Sequence, residues 1–535
     1  MGLGALAPAL GRQFRLRHAF ILENLILPAL IRDAYPALGQ HPRHRALLAA
    51  LVLLHAVVGA CIGLSVDEAH YLLYAYHPAL SYFDHPPLVG WVQWPLVAVD
   101  APVAYLRFVP GFLWLGTVLG AYRLADYLQG KRNFGYTGDA GLWCLAALAL
   151  APLLHVLAIG LVPDTLLMFF TVLLMGQTLR LMQPDSLTQG LAWLGWGCLL
   201  GLAGLSKYTA LFFALASGLC LVSAHGVRVL RSPWPWLAVL LALLMVSPVL
   251  AWNATHDWVS FRYQGQHGAG NGWQVGEVAR FALLQLLAFG PLLLWGMWGH
   301  SKQGMLRLFF ALPWLVLAYL AGGGSSLPHW TAPAWVALAP FAGVGLARYR
   351  YGHGDRGRQR LRTQVLGALV LLQGLACAAL LWLMVSAGAP LLPRTWDNTS
   401  VGANPFAELF GWDQAGARAV SLAQAQGLAS VSVQNWTLAS RLAWSVRPLP
   451  VHVLAPGYSQ FSLWAGDLPV GASTLLVDNS LLAFETPLGP HGFASCQLLD
   501  TLDARHGGAP VARFRFYACQ GWAGDPQPRN REPGP

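Results

Sequence analysis

Residues 46–64 read ALLAALVLLHAVVGACIGL, a run that carries no charged side chain. About 20 apolar residues in a helix cross the hydrocarbon core of a bilayer, so this run predicts a membrane span. It is followed by VDEAHY at residues 66–71 and by YFDHPPL at residues 82–88. Asp67 and Glu68 fall just past the end of the span, where ionised carboxylates can be hydrated. We therefore expect the segment 65–100 to carry the chemistry of the chain.

The composition is that of a polytopic membrane protein. Hydrophobic residues make up 56% of the chain and charged residues only 10%, with a mean hydropathy of +0.49. In soluble globular proteins about a quarter of the residues are charged. The net charge of +10 lies in a few short loops, so it does not indicate a nucleic-acid partner.

Windows of roughly 19 residues predict about 11 membrane helices, with one or two more conceivable. The predicted spans are 46–64, 103–122, 140–162, 164–182, 190–205, 208–224, 235–252, 278–298, 308–324, 332–347 and 365–387. Loops on the side of the N-terminus are rich in arginine, whereas the opposite loops hold little more than Lys207 and Arg262. The positive-inside rule then places the segment 65–100, and everything after about residue 390, on the non-cytoplasmic side.

The chain divides into four predicted parts. Residues 1–45 form a cytoplasmic or interfacial segment, 46–389 the membrane domain, 390–522 a small extracytoplasmic α/β domain, and 523–535 a disordered tail. Cys496 and Cys519 are the pair of cysteines in the exterior domain, and we expect a disulfide there. The excess of arginine over lysine is typical of a high-GC bacterial genome, which predicts a bacterial inner membrane with the periplasm outside.

Several motifs resemble the glycosyltransferase family 39. They are Asp67-Glu68 with Tyr71, the stretch 82–88 with Trp91, Pro163-Asp164 at the start of a helix, and the stretch 205–209, LSKYT. The resemblance covers roughly residues 46–350. Residues 252–261 and 327–334 also resemble bacterial members, and residues 404–413 resemble their exterior domain.

The resemblance implies a GT-C fold and an inverting sugar transfer. The donor would be a sugar on polyprenyl (undecaprenyl) phosphate, and the acceptor a hydroxyl or phosphate group on a lipid, a glycan or a protein. In this family the first acid of the pair is the general base, which assigns that role to Asp67. On a helix the Glu68 side chain would point about 100° away from that of Asp67, so we expect Glu68 to position its neighbours. Asp164 corresponds to the second acid, which binds donor, orients a cation or caps its helix.

The leaving group is a lipid phosphate, which needs cations or hydrogen-bond donors at the outer membrane face. Lys207 is the first of these, and His85 the second, although the aminoarabinose transferases of the family carry a lysine in its place. Further expected donor-site residues are Asp84, Tyr82 and Tyr208. Tyr71, His256, Arg262 and His329 are expected substrate contacts.

Other interpretations stay open. Asp67 and Glu68 could be solvated interface residues, Lys207 could snorkel to the interface, and the aromatic residues could form an interfacial belt. Asp67, Glu68 and Asp164 could share a divalent cation or work without one, and no CxxC or HExxH spacing indicates a metal site. A transporter or lipid flippase and a membrane scaffold are the competing functions. Neither the donor sugar nor the acceptor can be read from the sequence.

Overall fold

The computed structural model describes residues 41–130, 140–269, 272–298, 303–324, 327–352, 355–392, 404–455, 457–480 and 486–524. Nearly all of the predicted N-terminal segment and of the predicted disordered tail lies outside these residues. The domain boundaries at residues 389 and 522 stay predictions.

In the described part of the chain, eighteen α-helices lie between residues 42 and 385. They are α1 Pro42–Cys61, α2 Val66–Tyr76, α3 Leu88–Trp91, α4 Trp94–Val97, α5 Val103–Leu106, α6 Phe108–Gln129, α7 Ala140–Ala149, α8 Pro152–Ile159, α9 Pro163–Leu181, α10 Gly190–Ser206, α11 Ala210–His225, α12 Arg228–Arg231, α13 Pro233–Thr255, α14 Val259–Ala269, α15 Val275–Phe289, α16 Leu308–Ala321, α17 Ala332–Tyr351 and α18 Arg356–Val385. Short 3-10 helices cover Pro184–Thr188, Pro291–Met297, Gly304–Arg307, Pro328–Thr331 and Ala407–Leu409.

The chain is a multi-pass membrane protein. By length and composition, seven helical segments within the described residues are suited to cross a membrane, or up to nine if each of two bent pairs is one span. The two shorter apolar helices, α10 and α11, lie where two further spans are predicted. Each of the eleven predicted windows therefore overlaps an apolar helix or a bent pair of helices.

Two of the predicted spans are not straight helices. The window 140–162 is divided into α7 and α8, which meet at 78°, and the window 278–298 bends by 108° between α15 and Pro291–Met297. Proline lacks a backbone N–H and clashes with the preceding turn, so Pro152 and Pro291 each begin a new helix. Gly290 adopts φ 75° at the second bend, a conformation that glycine tolerates best.

Two helices form the centre of the membrane part. The most apolar windows of Pro163–Leu181 and Pro328–Tyr351 are 89% buried, whereas those of α13 and α18 are only 17% and 22% buried. A helix that is apolar all round is buried in protein or faces lipid, so α13 and α18 form the periphery. Asp164 and His329 lie at the N-terminal ends of the two central segments.

A five-stranded sheet forms the core of the C-terminal part. Its strands are β1 Val431–Val433, β2 Val451–Val453, β3 Thr474–Asn479, β4 Phe493–His506 and β5 Ala509–Trp522, in the order β2-β1-β3-β5-β4. The first three are parallel and the last two pairings antiparallel. Gly507 and Gly508, both with positive φ, make the tight turn between β4 and β5. Helices α19 Trp412–Ala425, α20 Trp436–Ser445 and α21 Gln460–Trp464 complete this α/β unit, which confirms the predicted C-terminal fold.

Cys496 and Cys519 face each other across β4 and β5 and are joined by a disulfide. The segment 65–100 lies between the membrane part and the sheet. The backbone N–H of Phe83 donates to Gln460 Oε1 at 2.7 Å, and His70 contacts Ser440 on α20. The C-terminal part therefore contacts the segment with the predicted chemistry at two points.

Candidate active site

The first turn of α2 is fixed by a capping box. Ser65 Oγ accepts from the backbone N–H of Glu68 at 3.2 Å, and the N–H of Ser65 donates to Glu68 Oε2 at 3.1 Å. This reciprocal pair begins the helix at Val66 and places Asp67 in its first turn. Asp67 is partly exposed, and its carboxylate forms no hydrogen bond or ion pair with the residues that the structure describes.

Glu68 is held by an arginine that the sequence analysis missed. Arg107 Nε donates to Glu68 Oε1 at 2.9 Å and Arg107 Nη2 to Glu68 Oε2 at 3.1 Å, with both side chains less than a tenth exposed. The same guanidinium donates to the carbonyl oxygens of Gly59, Ile62 and Gly63 at the end of α1. Glu68 therefore joins two helices, in agreement with a positioning role. A charged residue near the start of the window 103–122 was the available signal for Arg107.

Asp164 and Lys207 form a buried ion pair. Lys207 Nζ donates to both carboxylate oxygens of Asp164, at 2.7 and 2.6 Å, and the side chains are 7% and 2% exposed, respectively. Asp164 makes no capping bond to its helix, and Lys207 is too buried to snorkel into water. His329 Nε2 lies 3.8 Å from Asp164 Oδ2, and the Trp330 ring lies 5.8 Å from Lys207 Nζ. Four predicted or neighbouring site residues thus meet here.

Asp84 lies between two histidines. Its Oδ2 is 3.0 Å from His85 Nδ1, its Oδ1 is 3.8 Å from His70 Nε2, and the Tyr74 hydroxyl donates to Oδ1. Burial alone would raise the pKa of this carboxyl, but the adjacent His85 and the contact with His70 hold the pKa well below its ordinary value. Asp84 is therefore an ionised carboxylate that orients its neighbours.

Tyr71 shows that these groups converge. Burial, followed by the negative charges of Asp84, Asp67 and Asp164, raises the pKa of the Tyr71 phenol well above its ordinary value. Its hydroxyl also lies 3.5 Å from His85 Nδ1. Carboxylates from α2, from the following loop and from α9 therefore surround one tyrosine side chain.

Tyr82 lies inside the loop. Its side chain is fully buried, and its hydroxyl donates to the carbonyl oxygen of Tyr74 at 2.6 Å. It also accepts from the backbone N–H of Ala79 at 3.0 Å. These contacts shape the loop, and the contact of Tyr82 with the donor stays a prediction. Tyr208 packs its ring on Phe261, with centroids 5.3 Å apart.

His256 and Arg262 lie apart from this cluster. The His256 ring stacks on Trp252 with centroids 3.9 Å apart, and its Nδ1 lies 2.8 Å from the carbonyl oxygen of Trp252. Arg262 is exposed, and within the described residues neither side chain forms a hydrogen bond or ion pair with the carboxylate cluster. Another residue of α14 does reach it, because Gln264 Nε2 donates to the carbonyl oxygen of Asp84 at 2.6 Å.

A cation shared by Asp67, Glu68 and Asp164 does not fit these contacts. Arg107 and Ser65 occupy both oxygens of Glu68, and Lys207 occupies both oxygens of Asp164. In the described ranges, no group of three or more His, Cys, Asp or Glu side chains is arranged to hold a metal ion. Glu68 and Asp164 are instead neutralised by Arg107 and Lys207.

Comparison with known proteins confirms the resemblance noted in the sequence. Residues 84–252 match the model of the family described as dolichyl-phosphate-mannose-protein mannosyltransferase. The lipid A galacturonosyltransferase RgtD of Rhizobium johnstonii is 26% identical over 287 residues, which cover 51% of this chain and 58% of that protein. The matched part thus spans a little over half the length of this relative.

The fold has a counterpart among solved structures. ArnT from Cupriavidus metallidurans, in its apo state and bound to undecaprenyl phosphate, superposes with a TM-score of 0.58 at 16% identity. The superposition covers 88% of this chain and 97% of ArnT. The chain therefore has the GT-C fold, with the small C-terminal sheet that the sequence predicts.

Proposed function

We propose that the chain is an inverting glycosyltransferase that takes a sugar from a polyprenyl phosphate donor. The observation that supports the proposal most directly is the environment of the Asp67 carboxylate. It is the carboxylate of the cluster that forms no hydrogen bond or ion pair with a described residue, and it is partly exposed, within electrostatic range of Tyr71, His329 and Arg441. A general base needs a carboxylate oxygen that is free to accept a proton, and Asp67 meets this condition.

In the proposed reaction Asp67 acts on the acceptor, and the cationic side chains act on the leaving phosphate. Asp67 accepts the proton of the acceptor hydroxyl as the oxygen attacks the anomeric carbon of the donor sugar. The bond between that carbon and the phosphate oxygen breaks, and its electron pair leaves with the lipid phosphate. In the proposed reaction Lys207, His85 and His329, which lie beside Asp164 and Asp84, donate to the phosphate as its charge develops. Lys207 has three N–H groups and gives two of them to Asp164, so one remains for the phosphate.

The donor class is supported by the fold and by the position of the site. A polyprenyl chain stays in the bilayer, so the reacting carbon must be reached at the end of membrane helices, where Asp164 and Lys207 lie. ArnT, which shares the fold, binds undecaprenyl phosphate in one of its structures. The relative from Rhizobium is a lipid A galacturonosyltransferase, which favours a lipid-linked saccharide among the acceptors; glycan and protein hydroxyls stay alternatives.

The proposed location is the outer face of a bacterial inner membrane. Asp164 lies at the N-terminal end of α9 and His329 just before α17, whereas Arg180, Arg348 and Arg350 lie in the last turns of these two helices. Basic residues mark the cytoplasmic ends of spans, so the opposite ends face the periplasm. The C-terminal sheet, which contacts the same ends through α2, would share that side.

The test measures turnover of labelled undecaprenyl phosphate sugars by purified protein. Asp67→Asn keeps the shape of the side chain and removes the base, and we expect turnover to fall by about a hundredfold or more. Asp100→Asn is the matched control, because Asp100 lies in the same segment but is exposed. Equal turnover by wild type and Asp67→Asn, with both proteins folded, would remove Asp67 from catalysis and contradict the proposal.

A further inference from the structure

His70 contacts the exterior domain and the loop of the site at once. Its Nδ1 lies 3.1 Å from Ser440 Oγ on α20, and its Nε2 lies 3.8 Å from Asp84 Oδ1. These partners are separated by about 350 residues of sequence, and the ring between them is buried. No sequence motif singled out His70.

The hydrogen bonds of Ser440 show which atom donates in its contact with His70. Ser440 Oγ donates to the carbonyl oxygen of Trp436 at 2.8 Å, which leaves the hydroxyl oxygen to accept from the Nδ1–H of His70. Trp436, Phe461 and Trp464 of the exterior domain lie with ring centroids 5.6 to 6.1 Å from the imidazole, and Tyr74 and Tyr71 of α2 lie at 5.1 and 5.6 Å. The exterior domain therefore supplies the hydrogen-bond partner and three of the five rings around the imidazole.

The other side of the ring faces the pair of Asp84 and His85. Asp84 Oδ2 accepts from His85 Nδ1–H at 3.0 Å, which leaves Nε2 of His85 as the nitrogen available to a ligand. The orientation of His85 therefore depends on Asp84, which is held by the Tyr74 hydroxyl. His70 contributes through Nε2, and with Nδ1–H given to Ser440 this contact is attractive when Nε2 also carries a proton. A carboxylate that bonds an imidazole fixes both its tautomer and its direction.

We propose that His70 is a positioning residue through which the exterior domain holds Asp84 and His85 in place for the donor phosphate. The inference rests on the proposed function, since it takes the phosphate of the donor as the ligand of His85. It makes the C-terminal domain part of the donor site. Displacement of α20 would change phosphate binding without any change in the membrane helices.

Two substitutions of His70 separate its two contacts. The amide nitrogen of Asn occupies the place of Nδ1, so His70→Asn keeps the bond to Ser440 and loses the contact with Asp84. The amide nitrogen of Gln occupies the place of Nε2, so His70→Gln keeps the contact with Asp84. We expect His70→Asn to weaken undecaprenyl phosphate binding by about tenfold, since it removes a close polar contact to a buried carboxylate, and His70→Gln by less than about threefold.

Ser440→Ala removes a single hydroxyl and tests the contact from the exterior domain. We expect a few-fold loss of affinity, and no further loss when Ser440→Ala or His70→Asn is added to Asp84→Asn, because the effect acts through Asp84. Ser445→Ala on the same helix is the matched control, since its hydroxyl bonds only to the carbonyl oxygen of Arg441. It should bind like wild type.

Binding of undecaprenyl phosphate is measured by quenching of tryptophan fluorescence, and folding by thermal unfolding of each variant. Affinity of His70→Asn equal to that of wild type, or a loss that persists undiminished in Asp84→Asn, overturns the role of His70. If His70→Asn does not fold, Ser440→Ala decides, and behaviour equal to Ser445→Ala overturns the proposal. A wild type that neither binds the lipid phosphate nor turns over any donor overturns the proposed function itself.

Discussion

The contact between Glu68 and Arg107 leads to a prediction of stability. Arg107→Met would leave the Glu68 carboxylate buried with only the N–H of Ser65 as a donor, and it would remove a donor from the carbonyl oxygens of Gly59, Ile62 and Gly63. Breaking a buried ion pair from one side costs about 3–5 kcal/mol, because the remaining charge stays desolvated. Both side chains are less than a tenth exposed, so we expect a loss in this range.

A double variant tests whether the unpaired Glu68 carboxylate causes the loss of stability. Glu68→Leu combined with Arg107→Met removes the stranded charge, and replacing both members of a buried pair is often nearly neutral. Loss of the capping box still costs about 1 kcal/mol, so the double variant should be more stable than Arg107→Met alone. Arg107→Lys should be intermediate, because an ammonium cannot reproduce the two parallel bonds of the guanidinium.

Unfolding in mixed detergent micelles, followed by tryptophan fluorescence, provides the assay. The matched control is Arg280→Met, which breaks the pair of Arg280 and Glu277 on the surface of α15, where the arginine is 64% exposed. Exposed pairs contribute about 0–1 kcal/mol, so this variant should unfold like wild type. If Arg107→Met and Arg280→Met differ by less than about 1 kcal/mol, the buried pair does not hold α1 to α2, and this reasoning is refuted.

Two further predictions concern the other carboxylates. Lys207→Met leaves Asp164 buried and unpaired and removes a phosphate donor, so we expect both lower thermal stability and turnover at least about a hundredfold lower; adding Asp164→Leu should restore stability but not turnover. Retained turnover in Lys207→Met would contradict this role. Because the pKa of Asp84 lies well below 3.8 in the folded protein, the ionised carboxylate stabilises the fold in full above about pH 4, and this contribution is lost as the pH falls through the lowered pKa. The difference in melting temperature between wild type and Asp84→Asn should shrink as the pH falls below about pH 4, and a difference that does not shrink there would contradict the stabilising role of the ionised carboxylate.

The membrane helices could be predicted because hydrophobic runs alone determine them. All eleven windows correspond to apolar helices or bent pairs, yet the window average cannot detect where a run turns. Pro152 and the pair Gly290-Pro291 were visible in the sequence as helix breakers. What the sequence lacked was a reason to treat them as bends between short helices rather than as kinks in long ones.

Part of the site could be predicted because charge is rare in an apolar chain. Asp67, Asp164, Lys207 and His85 each stood out against their surroundings, and the structure brings their segments together around Tyr71. Arg107, His70 and Gln264 were missed because their importance depends on partners that only the tertiary fold supplies. His70 meets Ser440 across 370 residues, and no local pattern records such a contact.

The assignment of Asp67 as the general base follows from the partners that the fold gives to each carboxylate. An ionised carboxylate near a membrane boundary must be neutralised or hydrated, because an unpaired buried charge is very costly. The fold neutralises Glu68 with Arg107 and Asp164 with Lys207, and it encloses Asp84 between two histidines. Asp67 receives no such partner among the described residues and is instead left partly exposed. Asp67 can accept a proton without giving up a hydrogen bond or ion pair to a described residue, whereas each of the other three would have to give up an ion pair or a histidine contact. Because burial of an unpaired charge is costly, the fold pairs three of these carboxylates with cations or histidines. Asp67 is the one that is left able to act as a base.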